Sequence, residues 1–234
     1  MSPDLYTGTQ SSGGGAVAHD WCVEGAWTVR ALIARIRFNP AYVVWDPACG
    51  MGTIPNVFQA AGFDTIASDL IDRSPSCDHF YGTHDFLAER HPVFDNWPLI
   101  NIICNPPYSY IEGIAEAFAR RALHIAKGHV AMLLPVKRLA SRSWYGLFEQ
   151  YPPSDILIFC DRPSMPPGEK LRVLGRNAFR GGITDYCWVV WDRHRPGAET
   201  KTRWIGLRDA AQRRLDHAED LRRCGLLPPL EEAA

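Results

Sequence analysis

Asn105-Pro106-Pro107-Tyr108 sets a carboxamide, two rigid prolines and an aromatic ring directly after a run of apolar residues. Two prolines at that point stop a sheet ladder and stiffen the backbone. An amine carried on an aromatic ring needs two acceptors for its N–H groups and a wall to stack against. The Asn105 side-chain oxygen and the Pro106 carbonyl supply the acceptors, and Tyr108 supplies the wall. Read without chemistry, the same four residues are a strand terminator followed by a surface tyrosine.

A second group lies upstream in Asp46-Pro47-Ala48-Cys49-Gly50-Met51-Gly52-Thr53. Two glycines at this spacing let a strand turn sharply into a helix while a ligand approaches the backbone. A pyrophosphate-binding turn would carry a third glycine where Pro55 stands, so a different ligand is expected. Pro55 suits the first turn of a helix, where its missing N–H costs nothing. Asp69 follows Gly52 by 17 positions, close to the spacing of an acid that holds a ribose diol. In His84-Asp85-Phe86-Leu87 a carboxylate stands beside an aromatic, a pair able to meet an adenine amino group and cover its ring.

These residues need elements to position them. Residues 29–38 read as a helix, with Val29, Leu32, Ile33 and Ile36 on one face. Short apolar runs follow at 42–45, 65–68, 99–104, 129–134, 156–159 and 186–191. Segments suited to crossover helices, such as 54–61 and 111–126, separate the first four. Strand–helix alternation of this kind predicts an α/β fold with a mainly parallel central sheet and helices on both faces. Ligands of such sheets sit at the carboxyl ends of the strands, where both groups fall.

The chain of 234 residues suits one domain with a substantial core. No apolar run approaches the roughly 20 residues that span a bilayer, and residues 2–18 lack a secretory pattern, so a soluble, cytoplasmic protein is expected. Seven scattered cysteines without a Cys-x-x-Cys pair point to reduced thiols rather than disulfides or a structural metal, with Cys49, Cys104, Cys160 and Cys187 in apolar surroundings. The net charge of −1 conceals an asymmetry. Residues 1–100 hold 5 Lys and Arg against 11 Asp and Glu, whereas residues 170–223 hold 13 against 7. Clustered cations favour a phosphate backbone through counterion release. Lys137, Arg138, Arg142, Arg172, Arg176 and Arg180 are the candidates for phosphate contact. Arg213, Arg214, Arg222 and Arg223, taken alone, read as a solvated helix face.

The two motifs together, in this order, closely resemble the amino-methyltransferases of DNA that modify adenine N6, in particular small, phage-type members. Asp20-Trp21-Cys22-Val23-Glu24-x-x-Trp27 resembles that family's N-terminal segment, which closes over the methionine part of the cofactor. The likeness spans about residues 19–206, between a flexible leader at 1–18 and a helical tail at 207–234. It implies a Rossmann-like class I methyltransferase domain that uses S-adenosylmethionine and double-stranded DNA. By the same resemblance, Asp20, Trp21, Asp46, Ala48, Gly50 and Gly52 hold the cofactor's methionine end. Asp69 holds its ribose, Leu70 or Ile71 flanks its adenine, Asp85 and Phe86 meet the adenine edge, and Asn105 is shared between cofactor and target. Asn105, Pro106, Pro107 and Tyr108 form the catalytic loop, acting on a base extruded from the helix by direct displacement.

Other readings stay open. The same loop occurs in enzymes that methylate a release-factor glutamine, and adenine in RNA is a further substrate. A DNA-binding protein with an idle cofactor pocket is the non-enzymatic alternative. Cytosine-C5 chemistry needs a nucleophilic cysteine in a Pro-Cys pair, and this chain contains none. The sequence leaves the oligomeric state and the recognition sequence open.

Overall fold

The computed structural model describes residues 21–73, 77–88, 99–108, 111–197 and 199–229. Eight strands form one sheet: β1 (Val43–Asp46), β2 (Thr65–Asp69), β3 (Phe80–Thr83), β4 (Ile100–Cys104), β5 (His129–Pro135), β6 (Asp155–Phe159), β7 (Tyr186–Asp192) and β8 (Lys201–Ile205). Their order is β3-β2-β1-β4-β5-β7-β6-β8. Only β7 runs antiparallel to its neighbours, β5 and β6. The chain proceeds outward from β1 through β2 to β3, then returns to place β4 on the other side of β1. That reversal is a topological switch point, the place where open α/β sheets open a crevice for ligands.

Helices cover both faces because the central strands are apolar on both. Val44, Ile103, Leu133, Leu157 and Trp188 pack beneath α1 (Ala26–Ile33) and α2 (Thr53–Ala60), through Val29, Leu32, Ile54 and Phe58. Trp45, Ile102, Met132 and Val189 face the other way, towards Phe118 and Leu123 of α3 (Ile114–Ile125) and Trp144 and Leu147 of α4 (Arg142–Gln150). Alternation along each strand, with neither face left to water, explains why these strands read as unbroken apolar runs.

The edges depart from the sequence reading. β3 and β8 coincide with none of the six apolar runs. β8 bears Lys201, Thr202 and Arg203, and β3 alternates between half-buried and exposed positions. Edge strands face solvent and need no continuous apolar composition. Cys160, expected in apolar surroundings, is exposed just beyond β6. Among the described residues no helix is long and apolar enough to cross a membrane.

The first helix starts at Ala26 rather than at residue 29, and its cap explains the shift. The Ala26 N–H donates to Asp220 Oδ1 at 2.8 Å, a partner 194 positions away. Asp220 lies on the C-terminal helix α6 (Ala210–Arg223), which follows a one-turn helix α5 (Leu171–Leu174). Asp209 caps α6 by accepting from the Gln212 N–H at 2.7 Å. Arg30 of α1 also pairs with Asp216 at 2.9 Å and Glu219 at 2.7 Å, so α6 is fastened along α1.

Burial pushes the Asp220 carboxyl up to about 7, against the Ala26 N–H and the charges of Arg223 and Arg30. Between its ordinary value of 3.8 and about 7, the folded chain keeps a proton that the unfolded chain has lost. This group's contribution to stability therefore falls as pH rises through that window and is constant above it. Asp220→Asn retains an acceptor for Ala26 without the charge. Its melting temperature is expected to gain on the wild type steadily from about pH 4 to about pH 7. Thermal denaturation at stepped pH measures the difference, and a constant offset across the window would show that Asp220 does not titrate there.

Candidate active site

The carboxyl ends of β1 and β4 flank the switch point, and each delivers one of the two motifs. At the end of β1, Asp46 is 1% exposed, with Oδ1 accepting from the Ala48 N–H at 3.1 Å. Burial, then the charges of Glu24 and Asp69, hold its carboxyl well above the usual carboxylate range. The turn that follows depends on glycine: Gly50 and Gly52 have φ of +52° and +78°, in the left-handed region. The turn closes through the Gly52 N–H donating to the Cys49 carbonyl at 2.7 Å. Pro55 lies in the first turn of α2.

Asp69 ends β2 beside this turn. Its Oδ2 accepts from the Gly50 N–H at 2.9 Å and its Oδ1 from the Ile71 N–H at 3.3 Å. Leu70 and Ile71 are exposed next to it, two apolar side chains at the mouth of the crevice. Asp85 is exposed and turns its Oδ1 back to the Leu87 N–H at 2.9 Å. Phe86 does not line the surface beside it. Its ring is in the core, 5.3 Å from Trp45 and 4.9 Å from Phe118, so its side chain offers no face to a ligand in this conformation.

At the end of β4, Asn105 is nearly buried and its amide is held from both ends. Nδ2 donates to Glu24 Oε2 at 2.8 Å and to the Cys22 carbonyl at 3.4 Å, while the Tyr108 hydroxyl contacts Oδ1. The same hydroxyl meets the Leu133 carbonyl at 2.6 Å, and with one proton it satisfies one of these acceptors at a time. Pro106 is buried, Pro107 and Tyr108 are half-buried, and Arg138 donates to the Tyr108 carbonyl at 3.2 Å. Arg138 thus braces the loop rather than standing free in solvent.

Glu24 stood in the N-terminal segment of the resemblance without a role of its own, and the structure places it at the site. It is 6% exposed, and burial pushes its carboxyl upward, opposed by hydrogen bonds from Asn105 and Thr53. The available signal was an acid set among apolar neighbours, Cys22-Val23-Glu24-Gly25-Ala26-Trp27, just before a helix. A strap brings it here: Val23 N–H donates to the Pro166 carbonyl and Gly168 N–H to the Trp21 carbonyl, each at 3.0 Å. The strap sets the Trp21 ring between the two loops. A Cβ on Gly50 would approach that ring to 3.1 Å, and one on Gly168 to 2.0 Å. The Arg73 guanidinium covers the ring at 4.6 Å.

The structure therefore brings Trp21, Asp46, Ala48, Gly50, Gly52, Asp69 and Leu70 to the crevice with Asn105–Tyr108, and leaves Phe86 in the core. Asp20 lies outside the described residues. Lys137 and Arg142 are exposed just beyond the carboxyl end of β5, on the same sheet edge as the crevice. Arg172, Arg176 and Arg180 are exposed along the connection from β6 to β7, which leaves that edge too. Among the described residues no cluster of three or more His, Cys, Asp or Glu is arranged to hold a metal ion.

No family model matches the chain. No curated protein matches it either. Solved structures do match. A candidate class I S-adenosylmethionine-dependent methyltransferase from Listeria monocytogenes is 15% identical, with a TM-score of 0.50, covering 85% of this chain and 69% of that one. A candidate RNA methyltransferase from Pyrococcus horikoshii is 14% identical, with a TM-score of 0.52, covering 71% of this chain and 82% of that one. A type I restriction-modification methyltransferase subunit from Streptococcus thermophilus is 13% identical at a TM-score of 0.48, covering 85% of this chain. This chain spans about half of that subunit, 51% of its length. Its eight-stranded sheet and the neighbours with TM-scores of 0.50 and above give this chain the Rossmann-like class I methyltransferase fold.

Proposed function

We propose that the protein transfers a methyl group from S-adenosylmethionine to the N6 amino group of adenine in DNA. The observation that carries this reading is the Asn105 amide, clamped by Glu24 at the switch point beside Asp46, with its oxygen turned to Tyr108. A carboxamide fixed in this sense offers an acceptor to an amine and withholds its NH2 group.

The crevice fits the cofactor. Glu24, Asp46 and Asp69 are three buried carboxylates gathered at strand ends, and both Glu24 and Asp46 are held above their ordinary pKa. Buried acids without full compensation favour a cationic ligand. S-adenosylmethionine, when bound, supplies a methyl group activated by a positive sulfur. Asp46 would face its ammonium group, with the Ala48, Gly50 and Gly52 backbone beside it and Trp21 covering the turn. Asp69 would hold the ribose hydroxyls, Leu70 would flank the adenine, and Asp85 would accept from its amino group.

The chain's own part in the reaction is positioning. Asn105 Oδ1 and the Pro106 carbonyl accept the two N–H groups of the target amine, which orients its lone pair. Pro107 stiffens the loop, and the Tyr108 ring is the wall against which the base lies. Cations along the sheet edge, Lys137 and Arg142 among them, suit a phosphate backbone.

Transfer of labelled methyl from S-adenosylmethionine tests the reading, offered in parallel to unmethylated duplex DNA, RNA of the same sequence and a release-factor domain. Label is expected in DNA, and nucleoside digestion should recover it as N6-methyladenine. Cofactor binding without label in any DNA would overturn the DNA reading, and label in RNA or the release factor would replace it.

A further inference from the structure

A second concave site lies at Trp27, apart from the catalytic loop, none of whose residues line it. It is a groove of about 470 Å³ between the β6–β7 connection and α6, lined by Arg162, Arg180, Arg208, Arg213 and Arg214 with Trp27 and Phe179. In sequence these arginines fall in separate segments; the docking of α6 gathers them. Their carboxylate partners are unevenly shared. Arg208 takes Asp161 at 3.1 Å and Asp216 at 2.8 Å while lying 3.5 Å over the Trp27 ring, and Arg162 takes Asp185 at 2.7 Å. Arg213 shares Asp161 at 3.7 Å, and Asp220, the other acid of the lining, caps α1. Among the described residues Arg180 and Arg214 form no ion pair, and both are exposed.

The rim is shaped by backbone strain. Phe179 has φ of +61°, the only non-glycine in the left-handed region among the described residues. Such a conformation is sterically unfavourable for a residue with a Cβ and persists where surrounding structure enforces it. The enforcement is visible: Ser164 Oγ donates to the Arg180 carbonyl at 3.1 Å, and His217 Nε2 lies 2.8 Å from the Ala178 carbonyl. A Cβ on Gly182 would come within 2.6 Å of the Arg162 and Pro163 carbonyl oxygens, so this position admits only glycine. The loop thus holds a half-buried aromatic and an unpaired guanidinium side by side at the mouth of a cationic groove.

We propose that this groove binds the sugar-phosphate backbone of the nucleic acid whose base enters the catalytic loop. Arg180 and Arg214 contact phosphates, Arg208 is a structural brace, and Phe179 packs against a sugar or base. The proposal rests on the reading of the protein as a DNA-modifying enzyme and adds the route the backbone follows. Trp27 in the groove lies three residues along the chain from Glu24, which holds the catalytic amide.

The test is fluorescence anisotropy of a labelled DNA duplex, and of RNA of the same sequence, with the full chain between 50 and 200 mM salt. Wild type is compared with the double variant Arg180→Gln/Arg214→Gln. Removing two phosphate contacts is expected to flatten the slope of log affinity against log salt by about 2 and to weaken binding roughly tenfold or more near 0.1 M. Calorimetric affinity for S-adenosylmethionine is expected to stay unchanged, and matching thermal melts show that the variant is folded. Duplex binding by the double variant with wild-type affinity and slope overturns the groove proposal while leaving the enzymatic reading intact. Wild type that binds neither nucleic acid overturns both. Binding of RNA alone, with the slope flattened in the variant, sustains the groove and overturns the DNA reading. Saturable binding of inorganic tripolyphosphate, lost in the variant while duplex affinity is untouched, assigns the groove to a free polyanion and overturns the proposal.

Discussion

Asn105→Ala is expected to lower methyl transfer by about 10²–10³-fold while leaving affinity for S-adenosylmethionine within a few-fold of wild type. The substitution removes the acceptor for the target amine, and no neighbouring group replaces it. The Tyr108 hydroxyl still has the Leu133 carbonyl at 2.6 Å, so the loop keeps an anchor. Glu24 loses its 2.8 Å donor but retains the interaction with Thr53. Rate at saturating cofactor, measured with labelled methyl, and cofactor affinity by calorimetry separate the two roles. If both fell together, Asn105 would belong to the cofactor site first and the assignment of the amine acceptor would fail.

Two substitutions at Glu24 divide its functions. Glu24→Gln keeps an oxygen that can accept from Asn105 Nδ2, so the amide retains its sense, but it removes a negative charge from the crevice. A hydrogen bond or contact to a buried charge is worth about 1.5–3 kcal/mol, so cofactor affinity is expected to drop roughly 10- to 100-fold. Rate at saturating cofactor is expected to hold within a few-fold. Glu24→Ala loses the anchor as well. The Asn105 amide is then free to rotate, which would point its NH2 group at the target amine, and the saturated rate is expected to fall a further tenfold or more. Equal kinetics in the two variants would mean that Glu24 acts by charge alone and does not orient the amide.

The six central strands were legible because strands covered on both faces must be apolar along their length. β3 and β8 were not, since an edge strand tolerates the polar and exposed residues found in Lys201–Ile205. The start of α1 was misplaced for a related reason. Its cap is Asp220, 194 positions away, and nothing in residues 21–30 announces it. Phe86 shows the limit of motif reading: its place beside Asp85 suggested a ligand face, but the gap between Trp45 and Phe118 takes the ring.

By itself the sequence determined the α/β class and the placing of both motifs at strand ends. Those properties follow from local composition: apolar runs bury, glycines at 50 and 52 permit left-handed turns, and prolines after 105 stop a ladder. Tertiary structure decided which strand ends meet. The order that sets β1 beside β4 makes the crevice, and the strap paired with residues 166–168 brings Glu24 to an amide 81 positions away. It also decided that arginines from residues 162 to 214 share one groove, because α6 docks on α1 through Asp216, Glu219 and Asp220. Periodicity and turn chemistry report how each segment folds and which side it buries. Proximity between distant segments depends on how their buried faces and charges complement one another, and only the packed chain contains that information.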